Sequence, residues 1–134
     1  MDIRPITPAF AASPQIDPAD AGAIKAAGFV TVICNRPDAE VPPSHQADAM
    51  RTAIEAEGLT FVVNPVTHQG LNAEMVAIQN AAAASGKTLA YCASGTRSTI
   101  VWALGQAGEM DPDEIIAAGA QAGYDLNGLR NRLA

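Results

Sequence analysis

A cysteine and an arginine with four residues between them stand in the segment Cys92-Ala-Ser-Gly-Thr-Arg97. A short apolar run, 88–91, precedes the segment, and a helical apolar run, 100–104, follows it. A strand that enters a helix through small residues points backbone N–H groups at one spot, where the helix dipole adds positive potential. These groups, together with the Arg97 cation, favour the thiolate form of Cys92. The segment therefore predicts a cysteine nucleophile that faces an anion site.

The other residues of this loop are candidates for binding the anion or substrate: Ala93, Ser94, Gly95, Thr96 and Ser98. Gly95 suits a positive φ or a close approach of the backbone, and the hydroxyls donate to an anion or, more simply, cap the helix. A buried structural thiol is the simpler interpretation of Cys92. Arg97 could instead be solvated, although a cation at a helix start opposes the dipole. We favour a catalytic role for Cys92 and Arg97.

The elements expected to position this loop alternate between strands and helices. After an extended lead-in over 1–13, four stretches predict strands: 14–16, 29–34, 59–63 and 88–91. This alternation predicts one α/β domain over 1–134, with a small, mostly parallel four-stranded sheet flanked by helices. Right-handed crossovers bring the loops that follow the strands to one edge, where ligands bind: 35–43, 64–70 and 92–98.

Composition limits the functions that fit the chain. The formal net charge of −6 argues against nucleic acid or an anionic membrane as a partner. No run is long enough to span a bilayer, and residues 1–6 lack the order of a signal peptide, so we expect a cytoplasmic protein. His45 and His68 are isolated, which makes a metal site unexpected, and no cofactor is predicted.

The length of the cysteine loop helps to choose between two thiolate chemistries. In phosphoryl transfer the thiolate attacks phosphorus, whereas in sulfur transfer it carries a sulfane sulfur as a persulfide. Cysteine-dependent phosphatases as a family have five residues between cysteine and arginine, one more than separate Cys92 from Arg97. A six-residue loop with glycine fourth and arginine sixth resembles the active loop of rhodanese sulfurtransferases.

The surrounding chain resembles the phosphatase-like domain of the bacterial beta-lactamase-hydrolase-like proteins. The resemblance runs from the helix before 29–34, through Asn35-Arg-Pro-Asp38 and the strand ending near Pro65, to Tyr91-Cys-Ala-Ser-Gly-Thr-Arg-Ser98. It implies a dual-specificity-phosphatase-like fold with a shortened cysteine loop, and a link to sulfide or persulfide handling. No metallo-hydrolase motif is present, so the family's name does not predict β-lactamase activity.

Four more residues are auxiliary candidates: Cys34, Arg36, Asp38 and His68. In the phosphatase-like topology Cys34 ends a strand beside the one that leads to Cys92, and could resolve its persulfide or sulfenate as a disulfide. A core role for Cys34 is the favoured alternative. Arg36 either steers anions or is solvated. The loop 64–70 contains His68 but no aspartate to act as a general acid, and Asp38 is the nearest upstream aspartate on the same predicted edge.

These observations lead to a main hypothesis and two alternatives. The main hypothesis is a sulfurtransferase, in which Cys92 takes sulfur from a small anionic donor, thiosulfate or a persulfide, and passes it to a thiol acceptor. A separately encoded sulfur-oxidising enzyme is an expected partner. The alternatives are a cysteine-dependent phosphatase with an unusual loop, and a non-catalytic module that binds an anion or senses thiol oxidation.

Overall fold

A computed structural model describes residues 1–67 and 69–134, which contain a five-stranded sheet with helices on both faces. The strands are β1 (Arg4–Thr7), β2 (Phe10–Ser13), β3 (Thr31–Cys34), β4 (Thr60–Val63) and β5 (Thr88–Tyr91). The α-helices are α1 (Ala21–Ala26), α2 (Ala47–Ala56), α3 (Ala73–Ala83), α4 (Thr96–Gln106), α5 (Pro112–Gln121) and α6 (Arg130–Leu133). Short 3-10 turns lie at 18–20, 38–40, 43–45 and 127–129.

The sheet has the strand order β1-β2-β5-β3-β4, in which β2, β5, β3 and β4 are parallel. Strand β1 pairs with β2 in the antiparallel direction and forms one edge. The predicted α/β class with a mostly parallel sheet is confirmed, but the expected four strands are wrong because the sheet has five. The cysteine loop follows β5, the central strand, so both of its neighbours, β2 and β3, end beside the loop.

The fifth strand comes from a hairpin within the stretch expected to be an extended lead-in. Pro5 lies in edge strand β1, where a missing N–H is tolerated, and residues 8–9 make the turn into β2. The edge strand predicted at 14–16 is also wrong, since the strand lies at 10–13 and is interior. Phe10-Ala-Ala-Ser has little β propensity, and it forms a strand because all four of its residues are buried between β1 and β5.

Two apolar layers cover the sheet, one on each face. On the first face, helix α4 contributes Trp102 and α5 contributes Ile115, which pack with Ile33 and Ala90 of the strands. The opposite face is covered by helices α1 and α2. Its core residues alternate along the strands with those of the first face, and they include Ile24, Met50, Val32, Cys34, Leu89 and Tyr91. The two layers fix the central strand β5, from which the cysteine loop emerges.

Candidate active site

The loop 92–98 joins β5 to helix α4 and turns back on its own cysteine. Gly95 has a φ of +94°, a left-handed conformation that glycine adopts without steric cost, and α4 begins at the next residue, Thr96. This turn aims the backbone N–H of Gly95 at the sulfur of Cys92, to which it donates over 3.1 Å. The helix therefore begins within the loop predicted at 92–98, and its first turn belongs to the loop.

Burial divides the loop residues into two groups. Cys92, Gly95, Arg97 and Ser98 are buried, whereas the side chains that the sequence offered as further anion ligands are on exposed residues: Ala93, Ser94 and Thr96. The hydroxyl of Ser94 donates to the Thr96 hydroxyl over 2.9 Å, so these two groups bond to each other at the rim. The loop therefore presents backbone groups at its centre and hydroxyls at its edge.

The end of β2 holds the first half of the loop by backbone hydrogen bonds. The N–H of Cys92 donates to the carbonyl of Ser13, and the N–H of Gln15 donates to the carbonyl of Ala93, both over 3.3 Å. These bonds continue the parallel pairing of β2 with β5 past the end of β5. The strand that sequence reasoning missed therefore helps to position Cys92.

Tyr124, which follows helix α5, holds the second half of the loop. Its hydroxyl donates to the carbonyl of Ser94 over 3.1 Å. A Cβ placed on Gly95 would collide with this hydroxyl, so the tyrosine lies directly against the glycine. Sequence analysis did not single out Tyr124, and its position near the chain's end gave no signal that it would reach the loop.

The guanidinium of Arg97 is bound by a carboxylate that the sequence analysis did not single out. Nη1 and Nη2 donate to the two oxygens of Glu40 over 2.8 and 2.6 Å, and Nη1 also donates to the carbonyl of Val66 over 2.7 Å. Arg97 is only 5% exposed, so a partner for its charge is expected. The hydrogen bonds from Arg97 hold the pKa of Glu40 below its usual value.

Arg36, an auxiliary candidate, bonds to the same carboxylate from the other side. Its Nε donates to Glu40 Oε1 over 3.2 Å, and its Nη1 donates to the side chain of Gln15 over 3.2 Å. The structure thus brings Arg36 and Arg97 together around Glu40. A usable signal was present in the sequence, because Glu40 lies four residues after Arg36 in a loop expected at the ligand-binding edge.

Two other auxiliary candidates have partners away from the cysteine loop. The carboxylate of Asp38 accepts the N–H of Ala47 over 2.8 Å and thereby caps helix α2. Cys34 is buried beside Tyr91, and its thiol donates to the carbonyl of Arg36 over 3.3 Å. Burial raises the pKa of the Cys34 thiol. Both cysteines are free thiols in this structure, and a disulfide between them stays a prediction. His68 lies outside the described residues.

A buried network of side-chain amides lies beneath the loop and was missed by sequence analysis. Asn35 Nδ2 donates to Gln79 Oε1 over 2.8 Å and to the Ser98 hydroxyl over 3.0 Å. Asn64 Nδ2 donates to Asn35 Oδ1 over 3.0 Å, and Gln79 Nε2 donates to the Ser98 carbonyl over 3.1 Å. The network ties β3, β4 and α3 to the start of α4. Its sequence signal was an asparagine directly after each of two apolar strands.

Across residues 1–67 and 69–134, histidine, cysteine and carboxylate side chains form no group of three that could hold a metal ion. None of the described helices has both the length and the apolar character required to cross a bilayer.

The fold and the cysteine loop define a phosphatase-like α/β domain with a candidate cysteine nucleophile, and solved structures share this architecture. A candidate phosphatase of Neisseria meningitidis Z2491 is 34% identical, covers 99% of this chain and 96% of its own, and has a TM-score of 0.85. A candidate phosphatase of Shewanella putrefaciens CN-32 is 18% identical, covers 98% of this chain and 83% of its own, and has a TM-score of 0.73. The TpbA protein of P. aeruginosa is 16% identical, covers 99% of this chain and 91% of its own, and has a TM-score of 0.63.

The chain belongs to the family described as the phosphatase-like domain of beta-lactamase hydrolase-like proteins, whose sequence profile matches residues 2–109. A beta-lactamase hydrolase-like protein of Xylella fastidiosa is 36% identical over 103 residues, 74% of this chain and 24% of that protein. The beta-lactamase hydrolase-like protein of Agrobacterium fabrum is 32% identical over 121 residues, which are 87% of this chain and 28% of that protein. This chain therefore spans about a quarter of the length of these curated relatives.

These similarities confirm the resemblance and the dual-specificity-phosphatase-like fold expected from the sequence. The same similarities support phosphoryl transfer and sulfur transfer unequally. The family description and the similar solved structures are phosphatase-like, and none of them gives support to sulfur transfer. They therefore favour the phosphatase that the sequence analysis placed second over the sulfurtransferase that it placed first.

Proposed function

We propose that this chain is a cysteine-dependent phosphatase in which Cys92 is the nucleophile. One observation carries the proposal: the Cys92 sulfur accepts the Gly95 N–H at the start of helix α4, in a loop that also contains Arg97. The Gly95 N–H fixes the position of this sulfur at the helix N-terminus, and a cysteine sulfur is the atom that would attack phosphorus. The phosphatase-like family supports the same assignment.

In the proposed reaction the Cys92 thiolate attacks the phosphorus of a phosphate monoester. The S–P bond forms as the bond from phosphorus to the leaving oxygen breaks, and the leaving group takes the electron pair as an alkoxide or phenoxide. Water then attacks the phosphorus of the thiophosphate, releasing inorganic phosphate, a proton and the Cys92 thiolate. Arg97 and the loop N–H groups stabilise the charge on the equatorial oxygens in both steps.

The partners of the nearby carboxylates bear on which leaving groups fit this site. Glu40 is bound by Arg97, which lowers its pKa and leaves it without a proton at neutral pH. The carboxylate of Asp38 caps helix α2. Both carboxylates are therefore engaged by other protein groups, whereas the general acid of a phosphatase must deliver a proton to the leaving oxygen. Aryl phosphates, whose phenoxide leaves without prior protonation, are therefore the substrates we expect to react fastest.

Sulfur transfer is the second candidate, and the length of the loop favours it. Only four residues separate Cys92 from Arg97, so the ring of N–H groups is smaller than a loop built for phosphate. In this reaction the Cys92 thiolate attacks the outer sulfur of thiosulfate, an S–S bond forms and sulfite leaves. A thiolate acceptor then attacks that outer sulfur of the Cys92 persulfide and releases the Cys92 thiolate.

The two candidates separate in one set of assays on purified protein. We expect para-nitrophenyl phosphate to be hydrolysed by the wild type and by Cys34→Ser, and not by Cys92→Ser. Cys34→Ser is the matched control because Cys34 is the chain's other buried thiol. Hydrolysis that survives in Cys92→Ser refutes the proposal. A wild type inactive on aryl phosphates that gains one sulfur atom on Cys92 from thiosulfate establishes the second candidate instead.

A further inference from the structure

Only part of the hydrogen-bonding capacity of the Arg97 guanidinium is used by protein groups. A guanidinium has five N–H donors. Three of them go to the two oxygens of Glu40 and to the carbonyl of Val66, and all three are on the terminal nitrogens Nη1 and Nη2. Among the described residues, neither Nε nor the second N–H of Nη2 donates to an oxygen or nitrogen atom. These two donors make up the edge that remains for a ligand.

The Arg97 guanidinium is also a neighbour of Cys92, which lies five positions earlier in the same loop. Arg97 is close enough to Cys92 for the cysteine to raise the pKa of the guanidinium, after the larger effect of Glu40. Two parallel N–H groups on one edge match two oxygens of a phosphate or of a similar oxyanion. An anion that rests on the loop beside Cys92 would therefore meet two donors of Arg97 at once.

Glu40 is itself fixed to the rest of the site. Arg36 donates to its Oε1 over 3.2 Å and to its backbone carbonyl over 3.4 Å. Arg36 in turn donates to the Gln15 side chain, and the Gln15 N–H donates to the carbonyl of Ala93 in the cysteine loop. The carboxylate is thus connected to the loop through Arg97 and also through Arg36. A freely moving surface glutamate would not have two such connections.

We propose that Glu40 is a positioning residue, which holds the Nη1 and Nη2 side of Arg97 so that the Nε edge faces the anion beside Cys92. An arginine side chain has several rotatable bonds, and fixing them before the ligand arrives removes an entropic cost from binding. The inference rests on the proposed function for the location of the anion. It concerns anion affinity and not turnover, so the two claims can fail separately.

The alternative role for Glu40 is that of a competitor. Its carboxylate could occupy Arg97 as an internal anion, which a substrate would have to displace. The two roles predict opposite signs, since removing a competitor tightens anion binding and removing a positioning group weakens it. Glu40→Asp distinguishes orientation from charge, because it keeps the negative charge but shortens the side chain by one methylene and cannot reach both Nη atoms in the same way.

The test measures the dissociation constant of inorganic phosphate, and separately of thiosulfate, by calorimetry in the Cys92→Ser protein. We expect Glu40→Asp and Glu40→Gln each to weaken binding about tenfold, the loss typical when a group that orients a ligand-binding side chain is removed. Glu55→Gln is the matched control, because Glu55 lies 3.8 Å from Arg51 at the exposed surface. That variant should bind as the parent protein does.

A second measurement distinguishes mispositioning from unfolding. In the ¹H–¹⁵N spectrum, the Nε–H resonance of Arg97 should shift or broaden in both Glu40 variants while the resonances of the β-sheet stay in place. Unchanged or tighter anion binding in Glu40→Asp overturns the inference, as does a Cys92→Ser protein that binds neither anion. A wild type without phosphatase activity, whose phosphate affinity still depends on Glu40, refutes the proposed reaction and leaves the positioning role intact.

Discussion

The backbone N–H of Gly95 donates to the sulfur of Cys92 over 3.1 Å, and it does so because Gly95 has a φ of +94°. The left-handed turn reverses the chain within three residues and lets helix α4 begin beside Cys92. One backbone angle therefore fixes both the direction of the N–H group and the start of the helix dipole. The loop depends on glycine at this position for the chemistry we propose.

Gly95→Ala should lower kcat/KM for an aryl phosphate by about 100-fold, because a displacement of roughly 1 Å at reacting groups costs that much. The new Cβ would collide with the Tyr124 hydroxyl, and the left-handed conformation itself costs about 1–2 kcal/mol in a non-glycine residue. Gly108→Ala is the control, since Gly108 has a φ of +85° but open space around it. Equal losses of activity in the two variants would contradict the role of the loop.

Gln79→Leu should lower the free energy of unfolding by about 1–3 kcal/mol, the cost of leaving buried polar groups without partners. The substitution removes the acceptor for Asn35 Nδ2 and the donor to the Ser98 carbonyl. Urea unfolding of the two proteins measures the difference. Gln121→Leu, the same change at an exposed position of helix α5, should change stability by about 0.5 kcal/mol, the usual scale for surface sites. A Gln79 variant as stable as Gln121→Leu would show that the network contributes nothing.

Removing the hydroxyl of Tyr124 should lower the stability of the fold, whereas removing the hydroxyl of Tyr91 should not. Tyr124→Phe deletes the hydrogen bond to the Ser94 carbonyl and should cost about 1 kcal/mol of stability. Within the described part of the chain the buried hydroxyl of Tyr91 has no hydrogen-bond partner, so Tyr91→Phe should leave stability unchanged or raise it. Thermal unfolding of both variants is the measurement. If Tyr91→Phe destabilises the protein as much as Tyr124→Phe does, the conclusion that the Tyr91 hydroxyl lacks a partner is wrong.

The ion pair between Glu40 and Arg97 should make stability fall in acid. The folded protein holds the pKa of Glu40 below its ordinary value of 4.5, chiefly through the hydrogen bonds from Arg97. The stability that this group contributes is therefore complete above 4.5 and is lost as the pH falls through the folded-state value. Urea unfolding at several pH values should show wild type and Glu40→Gln converging in acid. A difference that stays constant with pH would contradict the ion pair's contribution.

The central elements and the cysteine loop were predictable because each depends on local sequence. The run 29–34 and the run 88–91 are apolar on both faces, as strands covered by helices on both sides must be. The loop from Cys92 to Arg97 contains its own chemistry and its own glycine. For these parts of the chain, residue type and spacing were sufficient to locate a candidate active site.

The missed features depend on contacts between distant segments. The strand Phe10–Ser13 forms because β1 and β5 bury it, which alanine and serine do not signal locally. Glu40 meets Arg97 across 57 positions of sequence, and Tyr124 meets Ser94 across 30. Such pairs depend on how separate loops fold back over the sheet edge. Residue spacing within one loop contains no information about these contacts between loops.

The most direct test of the proposed phosphatase is to identify the chemical group that is bonded to Cys92 during the reaction. The wild type would be mixed with para-nitrophenyl phosphate, quenched in acid within the first turnovers, digested and analysed by mass spectrometry. We expect a phosphoryl group on the peptide that contains Cys92, and none on the peptide that contains Cys34. An unmodified Cys92 peptide at all quench times, together with a sulfur atom added to Cys92 by thiosulfate, would contradict the phosphatase and assign the site to sulfur transfer.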